Sequence, residues 1–101
     1  MDVTITVDRV QKLLEKHVGL TSKLTDWGYE SVLLGKDELD PIMVPEIDIL
    51  PKEVLAHQYL WIDPVVAKEY LIYFLTTIDY QRVLAKGIVV DHKLVWSEDN
   101  Q

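Results

Sequence analysis

Gly28, Gly35, Pro41 and Pro45 fall so closely between residues 20 and 48 that no helix longer than about two turns fits there. Ser31 to Leu34 fits a short strand or a single helical turn, and Asp40-Pro41 predicts a turn. Ile42 to Ile49 reads as extended chain that Pro45 confines to a sheet edge or an irregular segment. The consequence is a long loop, and it is acidic. Residues 26 to 63 hold nine acids (Asp26, Glu30, Asp37, Glu38, Asp40, Glu46, Asp48, Glu53 and Asp63) against Lys36 and Lys52, so this stretch carries −7, the formal net charge of the whole chain. The flanking stretches nearly cancel, at +1 for residues 1 to 25 and −1 for 64 to 101. Such a block repels phosphate backbones and attracts cationic partners.

At 101 residues, 49% hydrophobic and 27% charged, the chain suits one compact domain over residues 1–101, with a polar tail expected to fray over 97–101. With no cysteine it has no disulfide, no thiolate nucleophile and no thiolate-bound zinc. The longest uninterrupted apolar run, Tyr70 to Leu75, is far below the ~20 residues that span a bilayer. Met1-Asp2-Val3-Thr4 lacks the basic and apolar regions of a secretory signal. A cytoplasmic protein without membrane contact is expected.

Thr6 as N-cap, Asp8 in the first turn, Ile5 stapling Val10 and Gly19 as the stop predict a helix over residues 7–18. Val3 to Ile5 alternates like a short strand. Helical spacing with proline at the first turn predicts a second helix from Pro51 to about Trp61. Asp63-Pro64 predicts a third, running through Ile78 and on toward Lys86-Gly87. On it Ala67, Leu71, Phe74, Leu75 and Ile78 form a core stripe, and Val66, Tyr70, Tyr73, Thr77 and Tyr80 a second, aromatic one. Ile88 to Trp96 reads as a strand, or as a hairpin turning at Asp91-His92. The expected fold is a small α+β domain with three to four helices and a C-terminal β-strand or hairpin.

Few residues are spaced for chemistry. His17, His57 and His92 are too far apart in sequence for the i, i+3 or i, i+4 pairing of metal ligands. Asp37, Glu38 and Asp40 lack the ladder that wraps calcium. No glycine-rich phosphate cradle is present. A winged-helix DNA-binding regulator would use 79–86 as its recognition helix, which offers only Arg82 and Lys86 to a groove.

Gly28-Tyr29-Glu30-Ser31-Val32 resembles the Gly-x-Asp-Ser-Leu attachment site of acyl and peptidyl carrier proteins. Leu50-Pro51, Leu55 and Asp63-Pro64-Val65-Val66, running on to Tyr70-Leu71, are similar to the later helices of that family. The resemblance covers about residues 7 to 75. It implies a small acidic domain in which Ser31 opens a helix and carries phosphopantetheine. Glu30 stands where the family has aspartate, and Pro41 and Pro45 interrupt the position of its second helix.

Charge and aromatics favour a different expectation: a non-enzymatic binding module, an adaptor or an inhibitor of the immunity type. It would dock a basic protein through Trp27, Tyr29, Asp37, Glu38, Asp40, Tyr73 and Tyr80, without metal, cofactor or nucleic acid. The Tyr70, Tyr73 and Tyr80 flank would then be the seam of a homodimer.

Overall fold

A computed structural model describes residues 7–20, 26–45 and 47–99. The Thr6 cap, the Ile5 staple and the Val3 to Ile5 strand lie outside the described residues, as does Glu46. One α-helix, α1 (Val7–Val18), is followed by five strands: β1 (Gly28–Gly35), β2 (Glu53–Ile62), β3 (Glu69–Thr76), β4 (Val83–Val90) and β5 (Lys93–Asp99). They form one antiparallel sheet in the order β1-β2-β3-β4-β5. Every strand therefore lies beside its neighbour in sequence.

This corrects the expected α+β domain of three to four helices, since the described chain is a sheet with a single α-helix. The helix predicted from Pro51 to about Trp61 is instead strand from Glu53 onward, in β2. Leu55, His57, Tyr59 and Trp61 point to one face while Val54, Ala56 and Gln58 point to the other. The predicted 64–86 helix is a turn, β3, a second turn and the first half of β4. Tyr70 to Leu75 has apolar residues on both sides because β3 is covered on both faces, and a continuous apolar run of that kind fits a doubly buried strand as well as a helix.

Asp63 does cap a turn, accepting from Val65 N at 2.9 Å through its carboxylate and from Ala67 N at 2.8 Å through its carbonyl. Ala67 then enters the left-handed region (φ 56°) and the helix goes no further. The 79–86 recognition helix of the winged-helix alternative is likewise a turn running into β4. Ser97 and Glu98, expected in a frayed tail, are paired in β5 with Gly87 and Lys86.

The sheet has a core on each side. On one, α1 lays Val10 and Leu14 on Trp27, Ile72, Phe74 and Ile88. Its C-terminal end is pinned by His17 stacked on Trp96 of β5, with ring centres 4.0 Å apart, and Gly19 ends it at φ 66°. Trp27, Trp61 and Tyr70 stack further along the same face. On the other side the 36–50 segment covers Val54, Ala56, Tyr73, Leu75, Leu84, Ala85 and Val89 with Val44 and Leu50. That segment is a chain of short turns, with 3-10 turns at Lys36–Glu38 and Ile47–Ile49, rather than the extended run expected over 42–49. Pro41 and Pro45, which exclude a ladder, sit in these turns.

Candidate functional site

The segment opposite α1 leaves a cavity of about 260 Å³ against the sheet. Ala56, Leu71, Tyr73, Leu75 and Val89 line it from β2, β3 and β4; Leu34, Leu39, Met43 and Val44 line it from β1 and the covering segment. The wall is apolar because alternate positions of adjacent strands face the same way. Its polar lining residues are Glu38, Asp40, Gln58, Glu69 and His92, with no lysine or arginine among them.

Each carboxylate is fixed locally. Glu38 accepts from Gly35 N at 3.2 Å, Asp40 accepts from Ile42 N at 2.9 Å, and Glu69 lies 3.4 Å from His92 Nε2. Tyr73 donates to the Met43 carbonyl at 2.7 Å, tying the covering segment to the cavity floor. Ligand pockets for drug-sized molecules run upward from roughly 300 Å³, so this volume suits one large apolar side chain rather than a dinucleotide or a haem.

The opposite face holds the polar chain that joins β1, β2 and β3. Tyr29 Oη lies 3.0 Å from His57 Nδ1, and His57 Nε2 lies 3.2 Å from Thr76 Oγ1. Thr76 in turn donates to the Thr77 carbonyl at 3.1 Å. The bonds are all satisfied when Tyr29 donates to Nδ1, the neutral ring carries its proton on Nε2, and that proton goes to Thr76. Burial lowers the His57 pKa from the ordinary 6.5. The Tyr80 ring meets the imidazole edge-on at 4.9 Å and Tyr59 packs on Tyr29 at 4.8 Å. The Tyr59 pKa is raised, first by burial and then by Tyr29 and Tyr80. Both imidazole nitrogens are engaged within the protein, so His57 joins three strands rather than standing as an open base.

The residues expected to bind a partner are thus divided. Glu38 and Asp40 are together at the cavity, whereas Asp37 lies outside it, in a depression shared with Lys36, Asp48 and Lys52. Tyr29 and Tyr80 meet around His57 on the opposite face. Trp27 and Tyr73 are buried and serve the two cores instead of a docking surface.

The proposed Tyr70, Tyr73 and Tyr80 seam has no counterpart, because in a strand Tyr70 and Tyr73 point to opposite faces. Ser31 stands exposed in the middle of β1 and opens no helix, so the frame that the carrier resemblance requires is missing. Gln58, Glu69 and His92 were not singled out as binding residues. They converge only through the strand pairing, which brings β2, the start of β3 and the β4–β5 turn together.

Comparison with family models, with curated proteins and with solved structures finds no match for this chain. Among the described residues no cluster of three or more His, Asp or Glu side chains could hold a metal ion, and no helix is long and apolar enough to cross a membrane.

Proposed function

We propose that this protein is a non-enzymatic binding module that docks a basic protein partner at the cavity opposite α1. An apolar side chain of the partner enters the cavity, and flanking lysine or arginine residues meet Glu38, Asp40 and Glu69. The observation that carries this reading is an apolar cavity with three carboxylates and no lysine or arginine in its lining, on a chain of net charge −7. Complementary charge of this kind steers encounter and selects partners, while the buried apolar anchor supplies most of the affinity. An inhibitor of the immunity type, neutralising a basic enzyme, is one concrete form. A cytoplasmic location belongs to the same proposal and is checked by cell fractionation.

The test uses Glu38→Gln combined with Asp40→Asn. Both substitutions keep an acceptor oxygen for the bonds to Gly35 N and Ile42 N, so the local turns are retained while two charges are removed. The immobilised wild-type protein is expected to retain a basic partner at low salt and release it near ~0.5 M, where the Debye length falls to roughly 4 to 5 Å. The double variant should retain roughly tenfold less. Retention insensitive to both salt and the two substitutions would remove the charge-led reading.

A further inference from the structure

The two outer strands of the sheet differ in how they are guarded. The sheet ends at β5 on one side, where Lys93 and Glu98 place charges on the strand, a common device against strand addition. It ends at β1 on the other side, and β1 carries no lysine, no proline and no bulge in its pairing with β2. Along its eight residues Tyr29 and Leu33 are 53% exposed and Val32 36% exposed; Glu30 is its one charge. Among the described residues only β2 pairs with it, and apart from Gly35 N, which donates to Glu38, its outer row of backbone N–H and C=O groups meets no partner among them.

We propose that β1 is the pairing edge for a second copy of this chain, giving an antiparallel β1–β1 ladder and one continuous sheet across the dimer. The side-chain order of β1 is what selects this occupant. A two-fold axis perpendicular to the sheet keeps each face on its own side, so the ladder must centre on a residue. Centred on Ser31, it sets Tyr29 of each copy opposite Leu33 of the other on the α1 face, and Glu30 opposite Val32 on the cavity face. The two most exposed apolar side chains of the strand then cover one another twice. Centred on Glu30, it would oppose two carboxylates, which is unfavourable. Centred on Val32, it would leave Tyr29 opposite Gly35, which has no side chain to cover it.

The absence of cysteine makes the test direct, because a single introduced thiol can form a disulfide only between chains. Directly opposed residues of an antiparallel pair have Cα atoms about 4.5 to 5.5 Å apart, within the range that a disulfide spans. Ser31→Cys should therefore oxidise to a covalent dimer roughly tenfold or more faster than Val95→Cys, the exposed control on β5. The wild-type protein should sediment with a mass that rises with concentration toward twice 11.7 kDa. Leu33→Lys should stay at the monomer mass with unchanged circular dichroism. A wild-type protein that is still monomeric at about 0.5 mM overturns the proposal, and leaves the edge to a strand from another protein. Equal cross-linking of Ser31→Cys and Val95→Cys overturns it too.

Discussion

Tyr73 and Gly87 are paired across β3 and β4, and a Cβ at position 87 would lie 2.5 to 2.6 Å from the phenol ring. The ring occupies the space that glycine leaves, so aromatic cover offsets the weakness of glycine inside a strand. Gly87→Ala should therefore force the buried ring aside and cost about 1 to 3 kcal/mol, read as a fall in Tm of roughly 4 to 8 °C for each kcal/mol. His57 supplies the pH dependence at the same scale. Its folded pKa is held below 6.5 by burial. Between that lowered value and 6.5 the unfolded chain binds the extra proton, so stability present above pH 6.5 is lost as the pH falls through the folded value. Urea midpoints should drop on acidification through this window, and His57→Gln should flatten the slope whatever it does to the midpoint at neutral pH.

The β4–β5 hairpin turns on Asp91 and His92, whose φ values of 49° and 66° are those of a two-residue turn with both central residues left-handed. Asp91 does more than turn, since its carboxylate accepts from Glu69 N at 2.8 Å and locks the hairpin to the start of β3. His92 contributes only an exposed pairing with Glu69, worth little in water. His92→Gly should thus stabilise the protein by about 0.5 kcal/mol, relief of left-handed strain exceeding the added freedom of the unfolded chain; thermal unfolding measures it.

This hairpin was legible in the sequence only as an alternative, for it lacks the Asn-Gly that signals such a turn. The α1 helix was legible almost to the residue, because Asp8, the apolar spacing and Gly19 are all local signals. The middle strands were misjudged for a physical reason. Asp63-Pro64 is a true helix opening whose helix stops after one turn, and Tyr70 to Leu75 is apolar throughout because both faces of β3 are buried. The β-branched and aromatic content of that run carried the missing information. At the candidate site the acids Glu38 and Asp40 could be picked out by charge. Glu69 and His92 could not, because their convergence exists only once β3 and the β4–β5 turn are neighbours.

At the scale of the molecule, the sheet separates two cores that are held by different means. The α1 side is closed by a continuous helix packed on rings and aliphatic side chains. The cavity side is closed by the 36–50 segment, whose backbone bonds are mainly its own short turns at 2.9 to 3.3 Å. Val44 and Leu50 anchor it apolarly, and among the described residues it is tied to the sheet and its margin by Lys36 N to the Lys52 carbonyl and the Tyr73 hydroxyl to the Met43 carbonyl, both 2.7 Å, and by Gly35 N to Glu38 at 3.2 Å. Local opening draws on such segments first, because short turns and few bonds to the sheet hold their backbone. Amides of Asp40, Ile42, Met43 and Val44 should then exchange with deuterium well before those of β3 and α1. Tyr73→Phe keeps the ring over Gly87 and deletes only the hydroxyl. It should cost about 1 kcal/mol of the opening free energy and speed exchange in 40–45 by roughly fivefold, with α1 unchanged. Exchange that rises equally on both faces would mean that the two cores open together, and the cavity could then not be reshaped by a partner without loosening the whole sheet.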